Sequence, residues 1–64
     1  MIRIVLIDDH AVVRTGYRRL LSAEADFEVV GEAASADEAN ALVQRTQPDL
    51  ALVDLNLKGS SGLE

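Results

Sequence analysis

Two apolar segments of the chain each end in acidic residues, and these acids are the strongest candidates for chemistry. Residues 2–7 are apolar apart from one arginine and are followed at once by Asp8 and Asp9. Residues 50–53 are wholly apolar and are followed by Asp54. An apolar run that stops at a carboxylate is typical of a buried strand that carries an acid at its carboxyl end. We therefore expect the three acids to form one site, provided that the two strands lie side by side.

Three carboxylates gathered in this way would repel one another. Two like charges about 4 Å apart cost about 4 kcal/mol at an effective dielectric constant of 20, so an uncompensated carboxyl would take up a proton. Mg²⁺ suits a site of one or two carboxylates completed by water and phosphate oxygens. A carboxylate beside Mg²⁺ can also attack phosphorus and form an aspartyl phosphate. From the acids alone, a cation site and an acidic cluster without a metal are about equally supported.

The elements that must position these acids follow the order β-α-β-α-β. A capping-box pattern of Ser35 and Glu38 predicts the start of the second helix, and Pro48 predicts its end. Hydrophobic spacing predicts the following elements: strands over residues 2–7, 27–33 and 49–53 or 54, and helices over about 11–22 and from Ser35 to about Thr46.

The positions of the acids also predict the order of the strands in the sheet. Strand–helix–strand crossovers are right-handed in nearly all proteins. If the first strand is central, the two helices cover opposite faces, and a crevice opens between the carboxyl ends of the first and third strands. Because the acids follow these two strands, we predict the parallel order 2-1-3.

Length and composition exclude several other classes of protein. The 64 residues allow one domain, and the net charge of −5 argues against non-specific binding to nucleic acid or anionic membranes. The absence of cysteine excludes disulfides and thiolate metal sites and is compatible with the cytoplasm. We do not expect the amino terminus to be a signal peptide, because acids follow its apolar run without a small-residue cleavage site. The longest apolar stretch is also far shorter than the roughly 20 residues of a membrane span.

The chain also resembles the first half of a two-component response-regulator receiver domain. The resemblance runs through residues 6–10 (Leu-Ile-Asp-Asp-His), 47–54 (Gln-Pro-Asp-Leu-Ala-Leu-Val-Asp) and the segment 55–64 with its two glycines. Residues 8–10 and 29–33 most resemble the subfamily with a LuxR-type (NarL/FixJ-like) helix-turn-helix output domain. The resemblance implies a flavodoxin-like (CheY-like) α/β fold, of which this chain would supply the β-α-β-α-β portion.

The same resemblance assigns expected roles to residues of the site. Asp54 matches the phosphoacceptor, Asp9 the direct Mg²⁺ ligand, and Asp8 the acid that holds the metal through water. Asn56 matches the position whose backbone carbonyl completes the coordination. The phosphoryl donor would be a sensor histidine kinase or a small acyl phosphate.

Where the chain departs from the family pattern, a second hypothesis arises. Lys58 stands where the family usually has proline, and the family's Ser/Thr of a fourth strand and Lys of a fifth have no counterpart in these 64 residues. We expect a signalling module rather than an enzyme. In the parent protein, this module would control transcription through a carboxy-terminal DNA-binding domain that this chain lacks. The alternative is a fragment without phosphotransfer that folds as a homo-oligomer, because the third strand would present an unpaired edge.

Other polar and aromatic residues have plainer interpretations. His10 is expected to start the first helix rather than bind a metal, because the chain offers no second His or Cys. Tyr17 and Phe27 are expected in the core. Three arginines are expected to form a solvated helix face: Arg14, Arg18 and Arg19.

Overall fold

The computed structural model describes residues 1–54, which form a three-stranded parallel sheet with two helices. The strands are β1 (Ile2–Ile7), β2 (Phe27–Ala33) and β3 (Leu50–Val53), and the helices are α1 (Ala11–Ser22) and α2 (Ala36–Thr46). β1 lies in the middle and pairs in parallel with both other strands, so the order is β2-β1-β3. The predicted element order and strand arrangement are confirmed.

β1 is the buried centre of the fold. Ile4, Val5 and Leu6 are almost completely inaccessible to solvent, as expected for a strand whose side chains are apolar on both faces. Val5 and Ile7 belong to a core cluster with residues of β2 and α2, namely Ala33, Ala39 and Leu42. This central strand therefore fixes the position of the loop that follows it, where two of the acids lie.

The pairing of β2 with β1 is interrupted by a bulge. Ile4 pairs with Val29 and Val5 pairs with Gly31, so Val30 has no partner on β1. Gly31 lies against α2, where an added Cβ would come within 2.5 Å of Leu42 Cδ1. Glycine permits this close approach of strand and helix, which any larger residue would oppose.

Both ends of α2 are fixed by specific hydrogen bonds. Ser35 Oγ accepts from the Glu38 backbone N–H at 3.2 Å, as in a capping box, and Glu38 Oε1 accepts from the Ala34 N–H at 2.9 Å, one residue before the N-cap N–H that the standard motif uses. At the other end, Gln47 adopts a left-handed backbone conformation with φ of 49°. The helix thus begins and ends where the sequence predicts.

The apolar surfaces of α1 and β3 are more exposed than the sequence suggested. No residue of α1 is buried, and Tyr17, expected in the core, is 48% exposed, while Phe27 is only partly buried. Leu50 and Val53 of β3 are 46% and 52% exposed. The reason is that, within residues 1–54, α1 packs on β1 and β2 and leaves β3 uncovered. No helix in this range is long and apolar enough to cross a membrane.

Candidate functional site

The carboxyl ends of the three strands are tied together by backbone hydrogen bonds. The Asp8 N–H donates to the Ala33 carbonyl at 3.0 Å, which joins the end of β1 to the end of β2. The Asp54 N–H donates to the Ile7 carbonyl at 2.9 Å, which joins the end of β3 to β1. Parallel pairing therefore delivers both acids to the same edge of the sheet.

Four side chains converge at this edge. Asp8, Asp9, His10 and Asp54 each offer one potential ligand atom, and these atoms all lie within 4.8 Å of one another. The side chains of Asp8 and Asp9 are about nine-tenths buried, and that of Asp54 is 22% exposed. The expected meeting of the three acids is confirmed, whereas Asn56 and Lys58 lie outside the described residues.

His10 is also part of this cluster, which the sequence interpretation did not foresee, and 61% of its side chain is exposed. It does stand at the start of α1, but its side chain makes no cap hydrogen bond. Instead its Nδ1 lies 3.0 Å from Asp8 Oδ1, 2.8 Å from Asp9 Oδ1 and 3.7 Å from Asp54 Oδ2. The hydrogen bond to Asp8 and the adjacent negative charge of Asp9 raise the pKa of His10.

Asp8 is held in its ionised form. Its Oδ1 accepts from the His10 backbone N–H at 2.8 Å and faces the His10 ring at 3.0 Å. The backbone N–H of His10 is the main cause of a lowered Asp8 pKa, and it outweighs the opposing effect of burial. Asp8 is therefore a carboxylate at neutral pH.

Asp9 presents the feature that best fits a metal ion. Its Oδ1 is buried and accepts no hydrogen bond from the described residues, while His10 Nδ1 lies 2.8 Å away as an ion-pair partner when the ring is protonated. A buried carboxylate oxygen without a donor is costly unless a cation compensates it. Together with the carboxylates of Asp8 and Asp54, this oxygen makes a donor set that suits a hard divalent cation.

An open cavity of about 600 Å³ adjoins the cluster. It lies where α1 leaves β3 uncovered, so the acids are reachable from solvent on this side. Its lining combines polar residues with apolar residues from α1 and two strands: Leu6, Ile7, Asp8, His10, Val13, Arg14, Tyr17, Leu52, Val53 and Asp54.

Arg14 is also part of the site, and its expected place on a solvated helix face is wrong. Its side chain is 19% exposed. Its Nε donates to Glu32 Oε1 at 3.1 Å, and one terminal nitrogen donates to the Asp8 carbonyl at 2.6 Å. Arg18, whose side chain is 51% exposed, donates to Glu32 Oε2 at 2.8 Å. The available signal was Glu32 itself, an acid in a strand beside the buried β1, which requires a cation nearby.

Comparison with known proteins places the chain among signalling proteins. Residues 4–64 match the family model described as the response regulator receiver domain. The chain is 48% identical over 61 residues to the nitrate/nitrite response regulator protein NarL of Escherichia coli K12, covering 95% of the chain and 28% of that protein. It is 45% identical over 64 residues to the transcriptional regulatory protein LiaR of Bacillus subtilis, covering all of the chain and 30% of LiaR. The DNA-binding transcriptional activator DevR/DosR of Mycobacterium tuberculosis is likewise 45% identical over 64 residues, with the same coverage.

Solved structures agree with this placement. A LuxR-family two-component response regulator from an Aurantimonas species superimposes with a TM-score of 0.90 at 48% identity, covering 98% of this chain and 45% of that one. The signal receiver domain of the response regulator NarL from Mycobacterium tuberculosis gives 0.86 at 40% identity, with coverage of 91% and 47%. The chain spans about 30% of the length of its curated relatives. It belongs to the response regulator receiver domain family, and its relatives are LuxR-type two-component response regulators.

Proposed function

We propose that the chain is the phosphoacceptor part of a two-component response regulator and that Asp54 takes the phosphoryl group. The observation that carries the proposal is the convergence of three carboxylates and His10 within 4.8 Å at the open edge of the sheet. Asp54 is the most exposed of the three acids and lines the adjoining cavity. It is thus the carboxylate that an incoming donor reaches most easily.

In the proposed step, a carboxylate oxygen of Asp54 attacks the phosphorus of a phosphohistidine. The oxygen–phosphorus bond forms as the phosphorus–nitrogen bond breaks, and the histidine nitrogen leaves with the bonding electron pair and is reprotonated from solvent. With a small acyl phosphate the leaving group is a carboxylate instead. The role of the fold is to hold Asp54 in place through its backbone hydrogen bond to Ile7, so that the nucleophile is already positioned.

We propose Asp8, Asp9 and Asp54 as the side chains that hold Mg²⁺, with the backbone carbonyl of Asn56 as a further ligand. When bound, the metal ion would neutralise negative charge on the transferring phosphoryl group. The buried Oδ1 of Asp9, which accepts no hydrogen bond from the described residues, supports this assignment. Asn56 rests on the family resemblance alone.

We further propose the partners of the whole protein. The donor is a sensor histidine kinase, and the protein acts in the cytoplasm. Since the curated relatives are about three times longer and one is named a DNA-binding transcriptional activator, we propose that this receiver belongs to a longer regulator of transcription. In that protein a carboxy-terminal domain would bind DNA.

Intact-mass spectrometry after incubation with Mg²⁺ and a small acyl phosphate tests the phosphoacceptor. We expect a single phosphoryl adduct on the chain, its loss in Asp54→Asn, and its loss on adding a chelator. The matched control is Asp49→Asn, the same substitution at the amino end of β3, where Asp49 accepts from the Arg3 backbone N–H at 2.8 Å. This control should keep the adduct.

Two results would contradict the proposal. One is an adduct of equal yield in Asp54→Asn, which would place the phosphoryl group elsewhere. The other is no adduct on a parent chain that circular dichroism shows to be folded. In the second case the acidic cluster would be at most a cation site in this chain.

A second proposal, self-association, rests on the outer edge of β3. Within residues 1–54, β3 pairs with β1 alone, and Leu50 and Val53 are about half exposed. A strand edge with apolar exposed side chains favours pairing with another chain. We propose that the 64-residue chain forms homo-oligomers through this edge.

A further inference from the structure

Arg14 connects three parts of the molecule: α1, the end of β2 and the loop after β1. Its Nε donates to Glu32 Oε1 at 3.1 Å, and its terminal nitrogen donates to the Asp8 carbonyl at 2.6 Å. With only 19% of its side chain exposed, its geometry is well defined. We propose that Arg14 is a positioning residue that orients the carboxylates of Asp8 and Asp9 and thereby sets the affinity of the acidic site for Mg²⁺.

The argument begins with the peptide that Arg14 holds. The carbonyl of Asp8 and the N–H of Asp9 belong to one planar peptide group, so fixing this carbonyl fixes the direction in which both residues leave the strand. The Asp8 N–H is already engaged by the Ala33 carbonyl. Arg14 supplies a second restraint on the Asp8 backbone, in addition to the contacts that His10 makes with the Asp8 carboxylate.

The anchoring of Arg14 makes this restraint rigid. Glu32 receives Arg14 on one carboxylate oxygen and Arg18 on the other, at 3.1 and 2.8 Å. Charge-assisted hydrogen bonds of a guanidinium with a carboxylate are directional. Arg14 therefore contacts β2 through Glu32 and the loop through the Asp8 carbonyl at the same time. A movement of α1 relative to the loop would break these contacts.

A purely electrostatic role makes the opposite prediction. Removing a positive charge near three carboxylates would strengthen Mg²⁺ binding if Arg14 acted only through its charge. Removing a positioning contact would weaken binding, because groups that orient metal ligands typically contribute tenfold or more to affinity. The sign of the change therefore separates the two roles.

Arg18 provides the matched control. Arg14→Met and Arg18→Met each remove one positive charge and one contact with Glu32, but Arg14 alone of the two hydrogen-bonds the Asp8 carbonyl. The test is isothermal titration of Mg²⁺ into the parent chain and both variants. We expect about tenfold weaker binding for Arg14→Met and unchanged or slightly tighter binding for Arg18→Met. Equal affinities in the two variants would overturn the proposal.

Arg14→Lys decides the question if Arg14→Met does not fold. Lysine keeps the charge, but its single ammonium group cannot reproduce a planar fork directed at both Asp8 and Glu32. We expect weaker Mg²⁺ binding in this variant although the charge is unchanged. Parent-like affinity in a folded Arg14→Lys sample would overturn the positioning role.

The inference rests on the proposed Mg²⁺ site. A measurement without metal tests the positioning role of Arg14 separately from metal binding. The His10 backbone N–H donates to Asp8 Oδ1 at 2.8 Å, so its hydrogen-exchange rate reports how well the loop is ordered. We expect faster exchange in Arg14→Met and parent-like exchange in Arg18→Met. A folded parent that binds no Mg²⁺ would defeat the proposed metal site and, with it, the effect of Arg14 on Mg²⁺ affinity. Equal exchange rates in the two variants would defeat the positioning of the loop by Arg14, whether or not Mg²⁺ binds.

Discussion

At the scale of single residues, the largely exposed His10 ring is a counter-charge of the acidic cluster when it is protonated. Three carboxylates within a few ångströms are stabilised by a nearby positive group, and the His10 Nδ1 lies within 3.7 Å of an oxygen of each of them. Its raised pKa follows from this position. A bound cation would also neutralise the negative charge of the carboxylates. We therefore expect the protonated His10 ring and the metal ion to compete for the cluster.

The titration of His10 is directly measurable, because it is the only histidine of the chain. We expect its imidazole NMR signals to titrate with a pKa above the ordinary value of about 6.5. A raised folded-state pKa stabilises the fold below the unfolded-state value, and this contribution disappears as the pH rises through the folded-state pKa. Urea unfolding of the parent chain should therefore show a loss of stability across that range.

His10→Gln is the control for this pH dependence, since it keeps a polar side chain of similar reach without the charge. The variant should lose the dependence around the pKa of His10. It should keep the part of the acidic-side dependence that arises from the His10 backbone N–H, the main cause of the lowered Asp8 pKa. That lowered pKa stabilises the fold above about pH 3.9 and ceases to do so as the pH falls through the folded-state value. A parent His10 that titrates at or below its ordinary pKa would contradict the assignment.

The acids of the site were predictable from sequence, but their neighbours were not. Asp8 and Asp54 follow apolar strands. Because neighbouring parallel strands end at the same edge of a sheet, the two acids must lie at that edge together. The directions of His10 and Arg14 depend on the conformation of the loop and on side-chain rotamers, which hydrophobic periodicity does not encode. The charge of Glu32 indicated that a partner was needed, without indicating which arginine would supply it.

At the scale of elements, the hydrogen bonds of Ser35 and Glu38 set where α2 begins. Ser35 and Glu38 satisfy backbone N–H groups at the first turn. We expect Ser35→Ala to destabilise the fold by about 1 kcal/mol, the usual cost of removing such a cap. Urea unfolding followed by circular dichroism measures this difference.

Ser22→Ala serves as the comparison, because Ser22 is an exposed residue at the end of α1. Its replacement by alanine should change the free energy of unfolding by less than about 0.5 kcal/mol, as is usual for surface positions. If both serine variants were equally stable, the cap would contribute nothing to the fold.

The bounds of the elements were predictable because caps, proline and apolar periodicity are local signals. The burial of their faces was not. The spacing of Val13, Tyr17 and Leu20 indicates one apolar side of a helix but not whether another element covers it. In residues 1–54 that side is largely exposed, because α1 contacts β1 and β2 alone.

At the scale of the whole molecule, the outer edge of β3 governs the expected association. We expect sedimentation equilibrium to show a dimer or a larger oligomer of the folded 64-residue chain. Ala51→Lys, which places a charge at an exposed position of β3, should shift the equilibrium toward monomer, since edge charges oppose strand pairing.

Asn40→Lys is the control for this shift, because it adds the same charge at an exposed position of α2. It should leave the association unchanged. A folded parent chain that remains monomeric at tens of micromolar would refute self-association through β3. It would leave the proposed phosphoacceptor role intact.

The bulge at Val30 determines which helix the charge of β2 faces. In a ladder without it, Glu32 would stand opposite Ile7, on the apolar side that packs under α2, and a one-residue slip of this kind reverses every side chain beyond it. With the bulge, Glu32 pairs with Leu6 and meets the arginines of α1. The extra residue therefore shifts the alternation of sides along β2 by one residue. Deletion of Val30 would remove the bulge and leave Glu32 on the side of α1. A strand that kept Val30 but had no bulge would instead turn the Glu32 carboxylate toward α2 and bury it.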